Sequence, residues 1–117
     1  MIQSIHHIAI ISSSEASVDF YKHLGFQEIY RRERVQDTIV LLQGYGIQLE
    51  MFIDPSHPAR ATEPENIGLR HLALQVDNIE QTAEELQQEI GPIQTDWVGI
   101  RYAYTWDPDG LPIELHE

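Results

Sequence analysis

The sequence predicts an α+β fold made of two tandem βαβββ modules, and two observations carry that expectation. Short β-branched or alternating runs flank an amphipathic helical stretch in the same order in both halves of the chain. The halves also match residue by residue. His7-Ile8-Ala9-Ile10 is matched by His71-Leu72-Ala73-Leu74, and Gly46-Ile47-Gln48-Leu49-Glu50 by Gly110-Leu111-Pro112-Ile113-Glu114, each pair standing 64 positions apart. A length of 117 residues suits a single domain with a usable core. Module 1 is expected over 1–53, a linker over 54–66 and module 2 over 67–117.

In chain order, "SIHHIAIIS" is a β-branched run that reads as the first strand. "SSSEASVDFYKHLGF" opens on serine caps and carries Val18, Tyr21 and Leu24 at helical spacing before Gly25, which reads as a helix and its stop. Strands are then expected from Gln27 to Arg34, Thr38 to Gln43 and Ile47 to Ile53, divided by turns at Gln36-Asp37 and Gly44-Tyr45-Gly46. The polar segment "DPSHPARATEPEN", Asp54 to Asn66, has no periodicity and reads as an exposed connection. "RHLALQVDNIEQTAEELQQEIG" repeats strand and helix, with Ile79, Ala83 and Leu86 on one helical face, and strands follow to the end. In "DPDG", Pro108 takes the second turn position and Gly110 a position needing positive φ, which predicts a type I turn with a G1 bulge. That turn sets Tyr104 opposite Glu114, with Tyr102 and Trp106 on the same face.

Composition excludes several function classes. Nineteen acidic and seven basic residues leave a net charge of -12, which repels phosphate backbones and anionic lipid, so neither nucleic acid nor a membrane is expected as partner. There is no cysteine, hence no disulfide framework and no thiolate metal site. No run approaches the roughly 18 apolar residues of a spanning helix, and no secretory leader is evident at Met1. A soluble cytoplasmic protein is the expectation.

Strand alternation says which side chains share a face. Ile8, Ile10, Leu49, Met51, Leu72, Leu74, Ile113 and Leu115 form one apolar set suited to lie under the helices. His7, Glu50, His71 and Glu114 fall on the opposite face, and histidine and glutamate are 43 residues apart in each half. A single histidine or glutamate on a polar strand face is ordinarily just solvated. Two matching pairs on one face instead suggest four ligands for a divalent transition metal, with bonds of about 2.0–2.2 Å in the case of zinc. Nickel, zinc, cobalt and manganese all suit such a set. His6 neighbours His7 and is expected to point the other way. His23 and His57 are expected in solvent, and His116, two residues past Glu114, as a support for that carboxylate or a substrate contact.

The runs "HHIAI", "VDFYKHLGF", "IQLEMF", "RHLALQVDNIE" and above all the terminal "DPDGLPIELHE" resemble the vicinal oxygen chelate superfamily and, within it, bacterial glyoxalase I-like proteins. The resemblance spans nearly the whole chain. It implies paired modules forming a curved mixed sheet around one metal, with ligands at His7, Glu50, His71 and Glu114. It also implies a homodimer whose sites are often shared between subunits. The implied activity is that of a carbon–sulfur lyase or isomerase. Metal-assisted proton transfer would run through an enediolate of a small 2-oxoaldehyde–thiol adduct or related oxo compound, with Glu114 as base and Glu50 as its pseudo-symmetric partner. Acyl-CoA epimerases of the methylmalonyl-CoA type are the alternative, followed by a non-catalytic module that binds a small molecule or drug. Ring-cleaving dioxygenases and antibiotic thiol transferases use three protein ligands, and Glu50 argues against both. Phe52, Tyr102, Tyr104, Trp106 and His116 are expected to line a substrate pocket.

In one respect the chain departs from the resemblance. Bacterial glyoxalase I proteins hold glutathione with an arginine four residues after the first histidine ligand and an asparagine four after the first glutamate. Ile11 and Asp54 stand at those positions. Isoleucine cannot pair a carboxylate, and a nearby aspartate repels one by roughly 1 kcal/mol or more. Another small oxo-acid, oxoaldehyde adduct or thioester is therefore the expected substrate, with Arg70 or Arg101 as the nearest cations by sequence.

Overall fold

A computed structural model describes all residues, 1–117. Two compact units divide between Ala59 and Arg60, inside the proline-marked connection. Each carries a four-stranded mixed sheet and one helix.

In the first unit, β1 (Ile8–Ser12) leads into α1 (Glu15–His23), followed by β2 (Gln27–Glu33), β3 (Thr38–Gly44) and β4 (Ile47–Ile53). The sheet order is β1-β4-β3-β2, with β1 parallel to β4 and the other pairs antiparallel. The helix starts at Ser14, whose hydroxyl accepts from the Ala16 amide at 3.2 Å, and it buries Ser17, Val18 and Tyr21. Leu42, Leu49 and Met51 are fully buried with them. The β3–β4 hairpin turns on Tyr45 and Gly46, both at positive φ (54° and 78°). Two such residues suit the type I′ turn that matches strand twist. The non-glycine Tyr45 is held there by its hydroxyl, which donates to the Leu24 carbonyl, and by its ring against Phe26.

The second unit repeats the plan with β5 (Leu72–Gln75), α2 (Ile79–Leu86), β6 (Gln94–Thr95), β7 (Arg101–Trp106) and β8 (Pro112–His116), in the order β5-β8-β7-β6. Asn78 caps α2 by accepting from the Gln81 amide at 2.8 Å. Ile79, Ala103 and Leu115 form the core, with Val76 and Ile90 packed against it. The hairpin between β7 and β8 is fastened by Asp107, whose carboxylate accepts from the Asp109 and Leu111 amides at 2.9 Å each, and Gly110 has φ 85°. This is the expected turn and bulge. β6 has only two residues, because the run after Gly91 lacks the alternating apolar pattern that would bury a longer strand. No helix is long and apolar enough to cross a membrane.

Candidate metal and substrate site

The parallel strand pair of each unit fixes one histidine beside one glutamate. In the first unit Ala9 pairs with Glu50, and in the second Ala73 pairs with Glu114. The two registers are identical, because Ile8 faces Leu49 as Leu72 faces Ile113. His7 and His71 immediately precede β1 and β5, and each side chain reaches the glutamate of its own unit. On the reverse face Leu49, Met51, Ile113 and Leu115 are buried, which leaves the carboxylates no other direction. The 43-residue spacing is thus the length of a strand–helix–hairpin circuit that returns to the same register.

His7 Nε2 lies 2.9 Å from Glu50 Oε2, and His71 Nε2 lies 3.9 Å from Glu114 Oε1. Two donors bonded at about 2.1 Å to one cation stand about 3.0 Å apart at a right angle and about 3.4 Å apart at a tetrahedral angle. The first pair has that spacing already, and the second reaches it by closing about half an ångström. An imidazole and a carboxylate are donors that first-row divalent metals accept, so the residues of each pair fit such an ion. No group of three or more histidine, aspartate or glutamate side chains gathers into a metal-holding cluster.

The two pairs have different surroundings. Leu41 lies opposite Glu50, whereas Tyr104 lies opposite Glu114 and donates its hydroxyl to Oε1 at 3.3 Å. Two residues further along, Phe52 follows Glu50 while His116 follows Glu114, with Nδ1 3.3 Å from Glu114 Oε2 and Nε2 4.0 Å from Asp96. Besides its histidine, Glu50 thus has apolar neighbours across and along the strands, with the Arg34 guanidinium over Phe52 as a nearby charge, whereas Glu114 has hydrogen-bonding neighbours. Burial, and then the charge of Glu114 and the hydrogen bond to it, push the Tyr104 phenol above its ordinary value. Its ring stands edge-on to His71 at 5.4 Å and to Tyr102 at 5.9 Å.

A cavity of about 310 Å³ opens beside this second pair, lined by Arg60, Glu65, Arg70, His71, Tyr104 and Trp106 among others. Tyr104 and Trp106, expected in a pocket, line it. Tyr102 and His116 are not among its lining residues, and Phe52 lies in the first unit beneath the Arg34 guanidinium, 5.9 Å from its ring centre. Arg60 and Glu65 come from the connecting segment, where aperiodic sequence gave no sign of them. Arg70 is in the cavity wall, while Arg101 is paired with Glu80 and, at 3.1 Å, with Glu117. His6 is exposed beside His7. Residues before Ile8 are outside the strand, so the two-residue period does not reach them, and the His6 ring meets His7 edge-on with Nδ1 atoms 2.9 Å apart. At the positions expected to hold glutathione, Ile11 is exposed. The Asp54 carboxylate accepts from the Ser56 amide at 2.9 Å and lies 3.3 Å from His57, and its bonds to Ser56 hold it below the ordinary carboxylate value.

Residues 4–115 match the model of the glyoxalase/bleomycin resistance protein/dioxygenase superfamily. The chain belongs to that superfamily. The Bacillus subtilis protein YwkD is 44% identical, with all of this chain and 98% of that protein covered. A glyoxalase family protein from Enterococcus faecalis has the same fold at a TM-score of 0.90, with 39% identity and 98% of each chain covered. A lactoylglutathione lyase from Agrobacterium tumefaciens shares the fold at a TM-score of 0.70, with 21% identity over all of this chain and 95% of that one. Superfamily members bind small molecules, commonly use a divalent metal and are commonly dimers. The paired βαβββ modules described above are the architecture of the superfamily.

Proposed function

We propose that this superfamily member is a metal-dependent lyase or isomerase of the glyoxalase I type. Its substrate would be a small 2-oxoaldehyde–thiol adduct or a related oxo compound. The observation that carries this reading is the repeated register, which gives each module one histidine and one glutamate on the same face. In this reading His7, Glu50, His71 and Glu114 together hold one nickel, zinc, cobalt or manganese ion, within one chain or across a homodimer. When bound, such a cation supplies several kcal/mol of stabilisation to negative charge developing on the substrate oxygens.

The chain's own residues account for the proton. Glu114 takes the proton from the carbon beside the carbonyl and returns it to the adjacent carbon, the task of a positioned general base. The Tyr104 hydroxyl and His116 fix the orientation of that carboxylate from two sides. Glu50, with only His7 within bonding distance, serves as ligand and as the base for the opposite proton face. The test is a screen of metal-loaded protein against 2-oxoaldehyde hemithioacetals and acyl-CoA esters, with solvent-deuterium incorporation as readout. Turnover of a hemithioacetal that falls about 10²–10⁴-fold in Glu114→Gln supports the reading. Turnover of acyl-CoA esters alone transfers the protein to the epimerases, and exchange unchanged in Glu114→Gln overturns the assignment of the base.

A further inference from the structure

We infer that the cavity beside His71 binds the anionic end of the substrate, a carboxylate or phosphate, and that Arg60 and Arg70 are the groups that hold it. The word substrate rests on the function proposed above, whereas the anion site does not. The chain has seven lysine and arginine residues against nineteen acidic ones, yet two of the seven line this one cavity. Of the five cations elsewhere, four are matched by carboxylates: Arg31 by Glu15 and Glu28, Lys22 by Glu28, Arg34 by Asp37, and Arg101 by Glu80 and Glu117.

Arg60 is anchored differently. Its guanidinium donates to the carbonyls of Arg70 at 2.8 Å and Leu69 at 3.5 Å, which fix it in place without cancelling its charge. Arg70 is held by Glu65 through contacts of 3.0–3.2 Å. Two guanidinium groups and one carboxylate leave a net positive charge at the cavity, in a protein whose overall field is strongly negative. A guanidinium fork matches the spacing of carboxylate and phosphate oxygens. At about 310 Å³ the cavity is at the small end of ligand pockets, so the occupant is short. Tyr104 and Trp106 form its aromatic wall, and His71 ties it to the proposed metal-binding pair. Two cations in a short cavity suit a small oxo-acid or phosphorylated oxo compound.

The test uses metal-free protein and two probes, malonate and inorganic phosphate. Trp106 fluorescence is followed in a Trp97→Phe background, since Trp97 is 94% exposed and the chain has two tryptophans. Saturable binding is expected, weakened at least about tenfold in Arg60→Gln and in Arg70→Gln and unchanged in Arg32→Gln. Glu65→Gln, which removes the competing carboxylate, tightens it. Arg70→Gln changes a side chain 68% exposed, so folding is retained even if Arg60→Gln loosens the loop. A response to malonate alone identifies the carboxylate, one to phosphate alone the phosphate, and either supports the site. No saturable response to both probes, or equal affinity in every arginine variant, overturns it. Metal uptake, measured on parallel samples of the same proteins offered nickel, zinc, cobalt or manganese, separates the two claims. Metal with no anion binding refutes this site alone, and arginine-dependent anion binding without metal refutes the metal chemistry alone.

Discussion

Replacing Tyr104 by phenylalanine removes one hydroxyl and leaves the ring that packs edge-on to His71 and Tyr102. The hydroxyl donates to Glu114 Oε1 at 3.3 Å. A group that orients a ligating carboxylate is ordinarily worth about 10–100-fold in metal affinity. At 3.3 Å the bond is longer than the 2.5–2.7 Å of a strong hydroxyl–carboxylate contact, so the effect belongs at the lower end. About tenfold, equivalent to about 1.4 kcal/mol, is the expected loss. The assay is a competition titration of cobalt or zinc against a chromophoric chelator. Leu41→Ala serves as the control, because Leu41 faces Glu50 across the strands as Tyr104 faces Glu114 and has no polar group to lose. Tyr104→Phe should weaken the metal about tenfold while Leu41→Ala changes it by less than about twofold. Equal effects in the two variants, or unaltered affinity in Tyr104→Phe, would refute the view that Glu114 is the carboxylate the fold supports.

Three further outcomes follow from other parts of the chain. Leu49 and Ile113 are fully buried on the strands that carry the glutamates, so truncating either to alanine should cost about 2–5 kcal/mol and lower Tm by about 8–20 °C; a smaller loss in both would mean these side chains are not the core. Hydrogen bonds from Arg31 and then Lys22 hold the Glu28 carboxyl at about 2, below its ordinary 4.5. The folded value is depressed, so the stabilisation is complete above about pH 4.5 and is lost as pH falls toward 2; it amounts to about 1 kcal/mol at this partly exposed site. Arg31→Met should flatten the acid limb of a stability–pH curve, and an identical slope in the variant would contradict the cause. Finally, the glutathione hemithioacetal of methylglyoxal should be a poor substrate, because Ile11 and Asp54 offer it no cation; a kcat/KM within the ordinary enzyme range of about 10⁴–10⁸ M⁻¹s⁻¹ would show otherwise.

Elements defined by local periodicity were legible in the sequence. Val18 and Tyr21 revealed α1, and the alternation of Leu49 and Met51 around Glu50 gave both the strand and its buried face. The pairing of Tyr104 with Glu114 was readable because "DPDG" specifies its own turn. That bulge also explains why Tyr104 lies 63 residues after Leu41 while Glu114 lies 64 after Glu50. The cavity was not legible, since Arg60 and Glu65 reach it from an aperiodic segment whose path depends on tertiary contacts. The polar support of Glu114 was visible only in part. His116 could be placed on its face by counting, whereas the contact of His6 with His7 arises where the strand period has ended.

The central claim is that the repeated histidine–glutamate pairs form one metal centre, and metal analysis of the purified protein with light scattering on the same samples tests it most directly. The account predicts one divalent ion for each set of four donors, lost from His7→Ala and from His71→Ala with the fold intact by circular dichroism. Light scattering should show a dimer; a monomer that keeps its full metal would place the site within one chain. Stoichiometric metal surviving in a His7→Ala, Glu114→Ala double variant would contradict the claim, as would wild-type protein that takes up none of nickel, zinc, cobalt or manganese.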